Sequence, residues 1–219
     1  MAELRSEEEQ LEAIKRWWKA NGTALIVGVV IAIAGVVGWK AWQSYQANQA
    51  EAASMRYQQL LSLATQAPLE DDALAQAQQL VEQINDEHAD TLYAELATLI
   101  EARLMIAEED HAAAIEALES LIAATQRDYL AGLARLRLAR LLLAEGDAET
   151  ALTTLEAGVP DALGAQRADT RGDILVALGR EEDAREAYQT ALRLSQETGQ
   201  PVYGVQLKLD NLGAEDATL

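Results

Sequence analysis

Gly179-Arg-Glu-Glu-Asp-Ala184-Arg-Glu-Ala-Tyr188-Gln-Thr-Ala191 is the stretch on which the fold turns. A glycine punctuates it, and carboxylates follow where the first turn of a helix favours negative charge. Ala184, Tyr188 and Ala191 then share one helical face. The same design recurs 33 residues upstream, where Gly146-Asp147-Ala148 precedes Ala151-Leu152 and Leu155. It recurs another 37 residues earlier, where Glu109-Asp110-His111 precedes Ala114-Ile115 and Leu118. Ala77 and Val81 mark a degenerate first copy, again 37 residues before. Near-constant spacing of this kind signals stacked units, none of which buries its apolar face alone.

Helical patterning extends through the rest of the chain. The spacing predicts helices over 71–85, 89–107, 111–125, 129–144, 148–157, 163–178 and 181–197, with no alternating β-branched run to compete. Breaks fall at Asn85-Asp86-Glu87, Glu108-Glu109-Asp110, Glu145-Gly146-Asp147, Gly158-Val159-Pro160, Gly179 and Gly199. The pattern resembles the tetratricopeptide repeat, a helix pair of about 34 residues. That likeness implies a turn glycine, an alanine opening the second helix, an aromatic four residues on and another alanine three later. Gly179, Ala184, Tyr188 and Ala191 occupy those positions, and Gly172 the small position of the first helix. In the middle copy Leu155 replaces the aromatic and Gly158 the last alanine. Small residues let the two helices approach, and the larger one fills the gap between repeats. An unrelated antiparallel bundle is the other arrangement open to these helices.

Composition divides the chain in two. Of its 219 residues, 43 are Ala and 33 Leu, both strong helix formers, and the formal charge is −19. Residues 1–40 hold five basic and five acidic groups, so the whole −19 lies beyond them. Such a body excludes a sequence-independent grip on nucleic acid, which needs clustered Lys and Arg. With no cysteine there is no disulfide, thiolate metal site or cysteine nucleophile.

Ala20 to Trp39 is an uncharged run bracketed by Lys19 and Lys40. Trp17 and Trp18 flank one end, Trp39 and Trp42 the other, where amphipathic rings meet a membrane interface. Trp18 to Trp39 spans about 32 Å as a helix, close to a bilayer's hydrocarbon thickness. The run exceeds a signal peptide's apolar core and reads as an uncleaved anchor. Residues 1–19 are therefore expected as a cytoplasmic segment, 20–42 as a transmembrane helix and 43–219 as a periplasmic repeat-like domain. Arg5, Lys15, Arg16 and Lys19 outnumber the basic residues after the span, which puts the N-terminus inside. Ser6-x-x-Glu9 resembles a capping box opening a short interfacial helix through Leu11, Ile14 and Trp18. Ala24, Gly28, Ala32 and Gly35 form a small-residue stripe suited to another membrane helix, although Gly and Ala are common in such spans anyway. Past Lys40 the helical pattern runs on to Gln66-Ala67-Pro68.

In the repeat family the first helix of each pair lines the concave surface. That would present Leu96, Leu99 and Arg103, then Leu133, Leu136 and Arg140, then Asp169 and Asp173, a surface fit for an extended peptide or a partner helix. Cover by the long helix or the C-terminal segment is the alternative. The tail after Gly199-Gln200-Pro201 is either a capping helix or an extended segment. No enzymatic signature is present. His88 and His111 fall at helix junctions without a second ligand at metal spacing, and no phosphate-loop, dinucleotide or nucleophile-elbow motif occurs. The clusters Glu70-Asp71-Asp72, Glu108-Glu109-Asp110 and Glu181-Glu182-Asp183 sit in turns, as solvated helix starts do. The reading is a binding protein, without cofactor or metal.

The whole chain resembles the YfgM family. The residues that carry this are the Glu-rich start before Ile14-Lys-Arg-Trp-Trp-Lys-Ala-Asn-Gly22, the anchor, Tyr57 with its helix, and the ending Val205-Gln-Leu-Lys-Leu-Asp-Asn-Leu212. The resemblance implies an all-α inner-membrane protein, an ancillary subunit of the SecYEG translocon. It further implies association with a PpiD-like membrane-anchored periplasmic chaperone, help in passing secretory chains onward, and an influence on envelope-stress signalling. A membrane-tethered repeat scaffold of another envelope or division complex shares the architecture without those partners.

Overall fold

The computed structural model describes residues 2–66 and 70–215, with side chains over 9–66 and 70–213. Nine α-helices follow one another among the described residues: α1 (Ala2–Ala64), α2 (Asp71–Glu87), α3 (Leu92–Ala107), α4 (His111–Ala124), α5 (Asp128–Ala144), α6 (Ala148–Glu156), α7 (Gly164–Ala177), α8 (Glu181–Thr198) and α9 (Val205–Glu215). A 3₁₀ turn, Asp161–Leu163, precedes α7. The chain divides into two compact units, Met1–Ala52 and Ala53–Leu219. The division falls within α1, ten residues beyond Trp42.

In the first unit, α1 is a single apolar helix long enough to cross a membrane. It begins at Ala2, so Ser6 lies inside it and does not open a separate interfacial helix. Ser6's side chain lies outside the described residues. Val29, Ile31 and Val37 are all about half exposed or more. An apolar surface this continuous needs a non-aqueous surrounding. Trp18 folds over Gly22, where an added Cβ would stand 3.2 Å from the indole. Trp39 and Trp42 pack ring against ring at 5.3 Å.

The second unit stacks helix pairs. The end of α1 pairs with α2, then α3 with α4, α5 with α6 and α7 with α8, and α9 closes the array. One alanine per pair sets the spacing: Ala77, Ala114, Ala151 and Ala184 are each completely buried. One turn on, Val81, Leu118, Leu155 and Tyr188 are buried to within 2% and fill the inter-repeat gap. Facing them stand Ala102, Ala139 and Gly172 of the first helices, all buried. At Gly172 only glycine fits, since a Cβ would lie 2.3 Å from the Tyr188 ring. The expected helices recur with shifted ends. Helix α3 starts at Leu92, capped by Thr91, three residues after the expected point. The break expected at Gln66-Ala67-Pro68 begins after Ala64, and residues 67–68 lie outside the described residues. The tail is helical, as α9.

Gly158 departs from the expectation. It is exposed with φ of 124°, and α6 has already ended at Glu156, so it is not the last small residue of a helix crossing. Val159 and Leu163 supply the missing core, and Pro160 packs on Gly132.

The turn joining each pair is built the same way three times. Amides of Asp110, Asp147 and Arg180 donate back to the carbonyls of Met105, Leu142 and Leu175, each at 2.9 Å. This helix stop requires a left-handed residue just before the donor. Gly146 and Gly179 supply it with φ of 87° and 70°, but the first turn uses Glu109 with φ of 63°. A side chain there costs about 1–2 kcal/mol, partly offset by the entropy glycine loses on folding. Glu109→Gly is therefore expected to stabilise the domain by about 0.5–1 kcal/mol. Gly172→Ala should destabilise it by about 1–3 kcal/mol through overpacking on Tyr188. Denaturant unfolding of the full chain in mild detergent checks both signs; a destabilising Glu109→Gly or a neutral Gly172→Ala would contradict this packing.

Candidate protein-interaction face

The first helices α3, α5 and α7 carry the predicted surface residues, and the structure separates them into four kinds. Leu99 and Leu136 are not on the surface at all. They are 3% and 2% exposed and belong to the core, Leu99 against Leu118 and Leu138, Leu136 against Leu155 and Ile174. The described residues packed with them belong to the neighbouring repeat helices. Leu96 and Leu133 are half-buried at the edge of the same clusters. Arg103 and Arg140 are exposed.

Arg137 joins them, a residue the periodicity did not single out. Its Nη1 donates to the Leu99 carbonyl at 2.6 Å, which ties α5 to α3. Arg140 Nε donates to Thr170 Oγ1 at 3.0 Å, which ties α5 to α7. Burial, with the nearby charges of Arg103 and Arg140, pulls the Arg137 guanidinium below its ordinary range despite an opposing influence of Tyr57. The signal was present as Arg137-Leu-Ala-Arg140, one helical turn apart on one face.

Asp169 and Asp173 are taken. Lys208 of α9 reaches both, at 2.7 and 2.8 Å, and Tyr188 donates its hydroxyl to Asp173 at 2.8 Å. The ammonium also lies 5.5 Å from the Tyr188 ring centre. Val205 and Leu212 of α9 are buried in the same cluster as Tyr188. The C-terminal helix thus covers the Asp169 and Asp173 end of α7. Burial pushes the Tyr188 hydroxyl well above the usual tyrosine range, helped by Asp173 and Asp169.

Both histidines hold the scaffold together. His88 is buried with Nε2 against Arg56, whose other nitrogen meets Glu87 at 2.6 Å. His111 Nδ1 meets Glu145 Oε1 at 2.5 Å and links one inter-helix turn to the next. No group of His, Asp or Glu suited to a metal ion occurs among the described residues. Of the acidic clusters, Asp71 and Asp72 lie in the first turn of α2, Asp110 caps α4, and Glu181, Glu182 and Asp183 open α8. Elsewhere, a groove of about 490 Å³ between α3 and α4 has an apolar floor of Met105, Ala117 and Leu121 and an acidic rim of Glu95, Glu101 and Glu116. Burial raises the Glu101 carboxyl above its usual range. In the first unit an added Cβ at Gly28 or Gly35 would meet open space.

Stacked pairs with small residues at every crossing define a tetratricopeptide repeat-like domain, and the chain matches that family over residues 15–214. Three curated relatives share nearly the full length, each named an ancillary SecYEG translocon subunit. The protein of Aggregatibacter actinomycetemcomitans is 34% identical over 97% of this chain and all of its own. That of Haemophilus influenzae is 31% identical over the same shares. The Escherichia coli protein is 30% identical over 94% of this chain and 97% of its own. No solved structure matches the chain. The chain belongs to the family of ancillary SecYEG translocon subunits.

The clasp on α9 has a pH signature. Burial disfavours the Lys208 ammonium, but Asp169 and Asp173 together outweigh it and raise its pKa above the ordinary 10.5. Its contribution to stability is therefore complete below pH 10.5 and is lost as pH rises through the folded-state value. Wild type should exceed Lys208→Met in unfolding free energy by a constant margin near neutrality, and the margin should shrink in strong alkali. Parallel unfolding profiles of the two at every pH would show that the clasp does not stabilise the fold.

Proposed function

We propose that the protein is a non-enzymatic, single-pass subunit of the bacterial inner membrane that works beside the SecYEG translocon. The observation that carries this reading is the likeness to ancillary translocon subunits along anchor and repeat domain together. The N-terminus lies in the cytoplasm, in line with the basic residues before the span, and the repeat domain lies in the periplasm. The repeat domain binds a PpiD-like membrane-anchored chaperone and assists hand-over of secretory chains, with an influence on envelope-stress signalling.

The mechanism is positional. An anchor confines the domain to the plane of the membrane, which raises its effective concentration near chains leaving the translocon and near other anchored proteins. The small-residue stripe Ala24, Gly28, Ala32 and Gly35 is the surface for a neighbouring membrane helix. The face of α3, α5 and α7, with Leu96, Leu133, Arg103 and Arg140 at its surface, receives protein segments through shape and polar contacts. The overall −19 adds little attraction at a distance, because exposed charges are screened beyond about 8 Å at physiological salt.

Affinity isolation of the full chain in mild detergent is expected to bring down SecYEG and a PpiD-like chaperone. Recovery of neither, with components of another envelope or division complex in their place, would overturn the translocon reading in favour of a tethered scaffold.

A further inference from the structure

Among the described residues of the second unit, the arginines divide sharply. Arg56, Arg127, Arg167, Arg171, Arg180, Arg185 and Arg193 all stand in ion pairs, as expected where acidic groups far outnumber basic ones. Arg103, Arg135, Arg137 and Arg140 stand in none; Arg135 donates to the Gly158 carbonyl at 3.2 Å, while Arg103, Arg137 and Arg140 are near enough to one another to shift the ionisation of Arg137. Three mutually repelling guanidinium groups without a carboxylate are costly to keep together in a chain of charge −19.

Two features hold this arrangement open. The bonds that position Arg137 and Arg140 go to a carbonyl and a hydroxyl, not to acids, and the one from Arg140 uses Nε. Asp169 and Asp173, the carboxylates that flank Thr170 on α7, are occupied by Lys208. The α9 clasp thus withdraws the two acids that α7 would otherwise offer to its neighbour α5. The outcome is a basic strip across α3 and α5, positioned by the fold and left without a counter-charge.

We propose that this strip, Arg103, Arg137 and Arg140, is the docking site for an acidic segment of a partner protein, whose carboxylates meet the guanidinium groups. A planar guanidinium receives a carboxylate through two parallel hydrogen bonds, which gives direction as well as attraction. Half-buried Leu96 and Leu133 on the same helices offer the segment apolar contacts between its acids. The inference rests on the reading of the first-helix face as the partner surface, and it names the chemistry that this face selects.

The test titrates the full chain in mild detergent with a fluorescein-labelled peptide of repeated Glu-Leu-Ser, beside its Gln-Leu-Ser and Lys-Leu-Ser counterparts. The glutamate peptide should bind at least about tenfold tighter than the other two, an advantage that falls as salt is raised. Arg103→Gln with Arg140→Gln should remove that advantage, while the exposed, ion-paired Arg180→Gln with Arg193→Gln keeps it; circular dichroism confirms that both fold. Equal binding of glutamate and glutamine peptides, or an unchanged preference in the Arg103/Arg140 variant, would overturn the proposal. So would concentration-dependent self-association lost in that variant, because the acidic segment would then come from a second copy of this chain. A wild-type chain that selects the glutamate peptide but fails to bring down the translocon removes the functional reading and leaves this one. The reverse result removes this one alone.

Discussion

Everything in the second unit depends on one close approach, the crossing of each second helix over its partner at a fully buried alanine. Ala114, Ala151 and Ala184 carry no bulk beyond Cβ, so the helix axes come close enough for Leu118, Leu155 and Tyr188 to bridge to the next element, while Ala77 and Val81 are buried against the end of α1 and against α3. Without that approach the pairs would present separate apolar stripes, each too small to hold a helix pair folded. The crossing also determines what the first helices expose. Once Leu99 and Leu136 are drawn into the core between pairs, only the flanking positions remain at the surface, and those carry Arg103, Arg140 and the edges of Leu96 and Leu133.

The last crossing reaches further than the others. Its bridging residue is an aromatic with a hydroxyl, and Tyr188 turns that hydroxyl to Asp173 while Lys208 closes on Asp169 and Asp173. The C-terminal helix therefore does two things at once. Its Val205 and Leu212 cover the apolar end of the array, as a terminal cap must, and its lysine pairs with two acids on α7. An acidic repeat domain is left with Arg103, Arg137 and Arg140 on α3 and α5 outside its ion pairs.

Much of this was legible in the sequence because the crossing demands particular residue types. Gly172, Ala184, Tyr188 and Ala191 are where the repeat pattern put them, and the degenerate copy at Ala77 and Val81 packs like the others. The anchor was legible for a similar reason, since uncharged length and terminal tryptophans are requirements of a bilayer. What escaped was set by contacts remote in sequence. Lys208 meets Asp169 from 39 residues away, and no periodicity links them. The burial of Leu99 and Leu136 depends on the neighbouring repeat, which a helix-face argument on one pair does not include. Glu109 escaped because its backbone, not its side chain, does what glycine does in the equivalent turns. Gly158 looked like a small crossing residue, but α6 ends before it and Pro160 packs on Gly132.

The central claim is that an anchored repeat domain meets its partners through the first-helix face, at the membrane site where the translocon works. Site-specific photocrosslinking in living cells tests it most directly, with the probe placed in turn at Arg103 and Arg140 on that face and at Glu116 and Glu149 on second helices α4 and α6. The account predicts crosslinks from Arg103 and Arg140 to translocon-associated proteins and none of comparable yield from Glu116 or Glu149. Crosslinks to those proteins from the second-helix positions, with Arg103 and Arg140 silent, would contradict it.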